Sequence, residues 1–341
     1  MPDDRGMAEL TVMSWNVQNL FRPAAGDAAA AARYDQKLDA LAGVIDTVSP
    51  DIVALQEVGG DEEVADLADR CAAAFDHHIT GLPDRRGIRV ALMSTRRLSH
   101  RTDVEVLPSG VLPVQTADPD VTTDRVGRGV LAASVRVGGE TVWVVNCHLK
   151  SKLLSFPAGP GGATRFSPRD EGERLRYAGY ALFRRTAEAM TCRALLDQLL
   201  TAPGDDPGTG EGRGTEVPVV MVGDLNDEAQ AATTQILSGP GGSQIDFRGG
   251  SGFQRPDGSD GYRMWNLDRL LPPDGQNYSR VYRGHGELID HILASHALVN
   301  PHNLPKVGVV AATPLPSIED VPDATPAAPS DHAAVVATFS I

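Results

Sequence analysis

Asp224 and Asn226 stand two residues apart at the end of the apolar run Val217-Pro-Val-Val-Met-Val-Gly223. In an extended chain, residues i and i+2 project the same way, so this carboxylate and carboxamide point at one spot. The pairing suits a metal-bound phosphate: a charged oxygen donor for a hard cation, and an amide that donates a hydrogen bond to an oxyanion. The same residue types also form ordinary Asx turns. Other strand ends carry comparable residues. Asn16 closes Leu10-Thr-Val-Met-Ser-Trp, Glu57 closes Asp51-Ile-Val-Ala-Leu-Gln, and His148 follows the run that ends in Asn146-Cys147. Lys150 and Lys152 lie just beyond His148, and lysines at such a place in an acidic chain suggest an anion nearby. Asp290 lies inside the apolar run Glu287–Ser295. A buried carboxylate without a partner costs several kcal/mol, and His332, at the start of the last apolar run, is its natural partner.

These residues must be carried by a mixed array of strands and helices. Apolar or alternating runs predict strands at 10–16, 51–57, 88–93, 104–107, 130–137, 141–146, 217–222, 287–295 and 332–339, with Gly138-Gly139 marking a hairpin. Leu38, Leu41, Ala42, Ile45 and Val48 recur at helical spacing before Pro50. Helices are also predicted over 64–75, over 173–200 with Leu182, Ala189, Leu196 and Leu199 on the apolar side, and in a short stretch up to Leu237. Arg174, Arg176, Arg184 and Arg185 on the long helix read as a solvated face, with Arg174 also a candidate substrate contact. Loop insertions are expected at about 153–171, 202–215 and 238–261, rich in Gly and Pro. The first contains Arg165 and Arg169. Tyr262, Arg263, Trp265 and Asn266 follow the third, either packed over a sheet edge or forming a wall against a leaving group or base.

The 341 residues are 41% hydrophobic and carry a formal net charge of −14. That charge opposes broad adhesion to nucleic acid, but a local basic strip and a divalent cation can offset it. No apolar run approaches the roughly 20 residues of a membrane span. The N-terminus lacks a basic segment followed by an apolar core, and Cys71, Cys147 and Cys192 have no metal-ligand spacing. A cytoplasmic protein is expected.

Taken together, Ser-Trp-Asn16, Leu-Gln-Glu57, Asn-Cys-His148-Leu, Gly-Asp224-Leu-Asn226, Ile-Asp290-His and Ser-Asp331-His332 resemble the endonuclease/exonuclease/phosphatase (DNase I-like) superfamily. Each motif alone is weak, but here all stand in the family's order across nearly the whole chain. The resemblance implies a single α+β domain: a four-layer αββα sandwich with two mixed sheets packed face to face and helices outside. It implies Mg²⁺ or Mn²⁺ bound by Glu57 with help from Asn16 and Asp331. Asp224 would orient the attacking water, Asn226 would hold the phosphate, and His332 (oriented by Asp290) and His148 would serve as acid/base groups and transition-state stabilisers.

Abasic-site endonucleases usually carry a tyrosine-bearing motif where His148 stands, so that branch is disfavoured. His-Leu-Lys-Ser-Lys and Asn-Val-Gln-Asn-Leu-Phe resemble bacterial nuclease-type members. The expectation is a nuclease cutting DNA or RNA phosphodiesters, gripping the strand with Lys150, Lys152, Arg165, Arg169, Arg174 and Trp265. The alternative is a phosphomonoesterase acting on an inositol phosphate, a phospholipid head group or another small phosphorylated substrate. A catalytically silent binding module would need a broken site, whereas every position of the motif series is filled.

Overall fold

The computed structural model describes residues 8–158, 165–207, 210–242, 245, 257–299, 304–310, 315 and 329–341. In chain order the elements begin β1 (Glu9–Leu20), α1 (Ala28–Val48), β2 (Ile52–Val58), α2 (Asp61–Arg70), β3 (His77–Thr80), β4 (Arg89–Ser94) and β5 (Ser99–Val106). Next come β6 (Val114–Ala117), β7 (Val121–Thr123), β8 (Arg125–Val137), β9 (Glu140–His148), α3 (Glu171–Leu199), β10 (Val219–Asp224) and α4 (Ala232–Ser238). The last are β11 (Met264–Asn266), β12 (Arg280–Tyr282), β13 (His285–Glu287), β14 (Asp290–Ser295), β15 (Lys306–Val310) and β16 (Ala334–Ser340).

Two six-stranded mixed sheets run β15-β16-β1-β2-β4-β3 and β11-β14-β10-β9-β8-β5. Strand alternation sorts their side chains into three cores. Val12, Ile52, Ala54, Val90 and Leu92 of the first sheet meet Leu131, Ala133, Val144, Val220 and Val222 of the second in the central core. Their neighbours Met13, Val53, Leu55, Ala91 and Met93 point outward and are covered by Leu38, Leu41 and Ile45 of α1 and Val64 and Leu67 of α2. On the opposite face, Ala132, Val145, Met221 and Leu293 pack against Ala189, Cys192 and Leu196 of α3. This is the expected four-layer arrangement, and strands covered on both faces explain why their sequences read as continuous apolar runs.

One polar bridge crosses the central core. Gln56 Nε2 of the first sheet donates to Asn146 Oδ1 of the second at 2.8 Å, and Asn146 Nδ2 donates back to the carbonyls of Leu55 and Ala91 at 2.9 and 2.8 Å. Wholly buried, these amides fix the sheets' relative register, because any slide leaves them unpaired. Gly223 makes the neighbouring close approach possible. Its φ is +152°, and a Cβ there would lie 2.0 Å from the Cys147 carbonyl oxygen.

Some boundaries differ from the sequence reading. Helix α2 stops at Arg70, and Phe75 reaches the outer core from a non-helical segment. Helix α3 begins at Glu171, its N-terminus capped by the Asp170 carboxylate, which accepts from Glu173 N. Leu182 is exposed rather than on its apolar side. Most of the 238–261 insertion and the centre of the 153–171 insertion lie outside the described residues. Among the described residues, no helix is long and apolar enough to cross a membrane.

Candidate active site

Three adjacent strands bring the second sheet's polar residues into one row. Asp224 at the end of β10 is in register with His148 on the parallel strand β9 and with Asp290 on the antiparallel strand β14. The first sheet supplies Asn16 from β1, Glu57 from β2 and His332 from the turn into β16. Asp224 is the meeting point. Its Oδ2 lies 3.2 Å from His148 Nε2, 3.9 Å from His332 Nε2 and 3.0 Å from Asn16 Nδ2, which donates to it. Its Oδ1 accepts from Asn226 N at 2.9 Å.

His332 Nδ1 lies 2.7 Å from Asp290 Oδ2, both groups buried. The backbone that carries the ring is held as well: Trp15 Nε1 donates to the His332 carbonyl at 2.8 Å, and Ser330 Oγ accepts from His332 N at 3.1 Å. Ser279 Oγ accepts from the amides of Ile289 and Asp290. Burial opposes a charged imidazole, but Asp290 and Asp224 outweigh it and push His332 up to about 10. Asp224 moves the other way. Burial would raise it, yet His148, His332 and the Asn16 hydrogen bond hold it well below the usual carboxylate range. Asp224 is therefore an anion flanked by imidazoles, a placement suited to polarising a proton on a reacting oxygen.

Glu57 reaches the site through irregular backbone. The β1–β2 and β2–β4 registers shift at 16–20 and at 56–58, and Glu57 has a φ of +66°. A left-handed conformation in a non-glycine residue costs on the order of 1 kcal/mol or more and clusters at functional sites. The bulge turns the carboxylate toward the row: Oε1 lies 4.0 Å from His148 Nε2 and Oε2 accepts from Asn19 N at 3.1 Å.

Asp331 brings a second carboxylate to which no donor is bonded among the described residues, although its own N–H donates to Gln18 Oε1. Lys37 donates to the Gln18 carbonyl. Burial pushes this lysine down to about 8 against the pull of Asp331 and Glu57.

Hard oxygen donors with open valences suit Mg²⁺ or Mn²⁺, and Glu57 and Asp331 fit that requirement. Asp224, Asp290 and His332 also form a group whose ligand atoms lie within 4.8 Å of one another. There, however, a cation must compete with the proton that joins His332 to Asp290.

The family model described as the Endonuclease/Exonuclease/phosphatase family matches residues 13–332. The chain belongs to this family. Its members are phosphoester hydrolases. No curated protein matches the sequence. Among solved structures the fold is similar to truncated TDP2 of Caenorhabditis elegans, with a TM-score of 0.54 and 17% identity over 98% of each chain. It is also similar to TDP2 of D. rerio complexed with a single-strand DNA product, with a TM-score of 0.53 and 16% identity over 98% of this chain and 99% of that one. The human Nocturnin catalytic domain with bound sulfate gives 0.53 and 16%, over 97% of this chain and 94% of that one. At these identities the structures report the DNase I-like fold.

The residues expected at the site from the sequence, Asn16, Glu57, His148, Asp224, Asn226, Asp290, Asp331 and His332, lie at one end of the sandwich. Asn226, with φ of +53°, donates its amide to the Leu149 carbonyl at 3.0 Å. The expected substrate contacts are more scattered. Trp265 requires correction: it is wholly buried in the central core and packs near His296, so it cannot form a wall against substrate. Its flanks Arg263 and Asn266 are polar, which hid its burial from the sequence.

Arg165 braces its own loop, donating to the carbonyls of Pro157 and Ser167 and to Glu173. Arg169 lies 3.9 Å from Glu173, and Arg174 pairs with Glu171. Lys150 Nζ donates to the carbonyls of Ser151 and Leu153, while Lys152 pairs with Asp227 at 3.2 Å. The buried Gln56–Asn146 bridge, Ser279 and Lys37 escaped the sequence reading, since nothing in their local pattern separates them from ordinary strand, loop or helix residues.

Proposed function

We propose that the protein is a divalent-metal-dependent phosphodiesterase, a nuclease that hydrolyses DNA or RNA phosphodiester bonds by in-line attack of an activated water. The observation that carries this reading is the convergence of His148 and the Asp290–His332 pair on Asp224, with Glu57 Oε1 4.0 Å from His148 Nε2. Glu57 and Asp331, with Asn16 alongside, would hold the ion, which when bound supplies charge stabilisation to a phosphoryl oxygen. Asp224 orients the attacking water and accepts its proton density. His332, kept protonated by Asp290, and His148 donate to the non-bridging and leaving oxygens, where negative charge grows. Asn226 contributes an amide donor to the phosphate once its bond to Leu149 is exchanged.

A nucleic-acid substrate is favoured by Lys150 and Lys152 just beyond His148, and D. rerio TDP2, of the same fold, was solved with a single-strand DNA product. The test is a screen of purified protein, with and without Mg²⁺, against single- and double-stranded DNA, RNA, bis(p-nitrophenyl) phosphate and inositol phosphates. Metal-dependent cleavage of a polynucleotide supports the reading. Release of inorganic phosphate from inositol phosphates alone would replace it with a phosphomonoesterase.

A further inference from the structure

Beside the catalytic row, the buried Glu188 carboxylate fastens three segments together. Its Oε1 accepts from Gly127 N and from Arg184 Nε, both at 3.0 Å, and its Oε2 accepts from Lys150 N at 2.6 Å. The start of β8, the segment after β9 and helix α3 are thereby joined, and each brings a cation to the same place. Arg185 completes the frame, donating to the Lys150 carbonyl and to Asp227, both at 3.0 Å. Far from a solvated face, this part of α3 is half of a polar interior.

Arg128 occupies the middle. Its side chain is only 10% exposed, its Nε is 3.8 Å from Asp84, and its Nη1 is buried with no hydrogen-bond partner among the described residues. Burial pushes the guanidinium down against the pull of Glu57, Glu188 and Asp224, and it forms no ion pair with Glu57 or Asp224. The neighbouring glycine clears the space, since a Cβ on Gly127 would lie 2.6 Å from Arg184 Nη2. Lys150 is pushed down to about 8, first by burial and then by Arg128 and Arg184, so these like charges crowd one another. A buried guanidinium N–H without an acceptor loses its hydration and gains nothing in return. An anion would satisfy it and relieve the crowding. Guanidinium groups bind phosphate through paired N–H donors, a geometry lysine cannot supply.

We propose that Arg128, Lys150 and Arg184, held by Glu188, form an anion subsite that takes a second phosphate group of the substrate, next to the one attacked. The attacked phosphate has His148, Asn226 and His332 for its oxygens, so the Arg128 guanidinium next door, whose Nη1 has no acceptor among the described residues, serves a neighbour. This deepens the proposed function: the preferred substrate carries two phosphates, either along a nucleotide strand or on a small polyphosphorylated molecule.

The experiment has two parts. Metal-free wild type, Arg128→Gln and Arg184→Gln are titrated calorimetrically with inorganic pyrophosphate. Loss of a charged hydrogen bond predicts about 10- to 100-fold weaker binding in the variants. Arg184 is the more exposed of the two, so its variant keeps the test alive if Arg128→Gln fails to fold. With Mg²⁺, hydrolysis of a dinucleotide with a 5′-phosphate is compared with the same dinucleotide lacking it, and an inositol bisphosphate with its monophosphate.

Wild type should favour the doubly phosphorylated member of one pair, and each variant should lose that preference. The pair that shows it identifies the source of the second phosphate. Equal losses on both members of each pair would overturn the proposal, placing Arg128 at the attacked phosphate, and so would unchanged pyrophosphate affinity. If wild type hydrolyses nothing while pyrophosphate binding still depends on Arg128, the subsite stands and the phosphodiesterase reading falls.

Discussion

His332 Nδ1 and Asp290 Oδ2 are 2.7 Å apart, although the residues lie 42 positions apart in the chain, Asp290 on β14 of one sheet and His332 in the turn into β16 of the other. The pair links the two halves of the sandwich at the point where Asp224 meets His148. Neither residue is placed to act alone: without Asp290 the imidazole loses its orientation and the main stabiliser of its positive charge. His332→Ala and Asp290→Asn should each lower turnover by about 10²- to 10⁴-fold. The double variant should be little worse than the poorer single one. Multiplicative losses in steady-state rates would show that the two work separately.

The same pair sets a pH dependence of stability. His332 has a folded-state pKa raised from 6.5 to about 10, so its contribution is complete below about pH 6.5 and is lost as pH rises toward 10. Melting of the protein in EDTA should therefore show a decline over this window that is absent in His332→Gln. Parallel curves for the two proteins would contradict the assignment.

Asn146→Ala should destabilise the fold without touching the catalytic row directly. It removes the donor to the carbonyls of Leu55 and Ala91 and leaves Gln56 Nε2 only its longer bonds to Ser14 Oγ and the Ala54 carbonyl, a loss of about 2–4 kcal/mol. Chemical denaturation reads this, and a change under about 0.5 kcal/mol would mean that the bridge is not what holds the sheets in register.

Gly223→Ala puts a methyl group 2.0 Å from the Cys147 oxygen, so β9 and β10 must part just where they present His148 and Asp224. A cost of about 3 kcal/mol or more is expected, with activity falling beyond what lost folded protein explains. A variant as stable and active as wild type would show that the two strands pack less closely.

The strand-end residues were legible because each interrupts or closes an apolar run, where a polar side chain has a burial cost to justify. His332 and Asp290 could be paired from sequence for that reason. Trp265 could not be placed, because its short strand β11 is covered by distant segments. Arg184 and Arg185 read as an ordinary charged helix surface, and only the position of β8 and of the segment after β9 turns that surface inward. Glu57 was visible as a strand-end carboxylate, but the bulge that aims it depends on two neighbouring strands.

The most direct test of the account is hydrolysis of a phosphodiester by wild type and Glu57→Gln across a Mg²⁺ titration starting in EDTA. The substitution keeps the shape of the side chain and removes its charge. The account predicts no wild-type activity in EDTA, recovery with Mg²⁺ or Mn²⁺, and a loss of about 10²-fold or more in the variant with its melting temperature nearly unchanged. Full wild-type activity in EDTA, or a fully active Glu57→Gln, would contradict it.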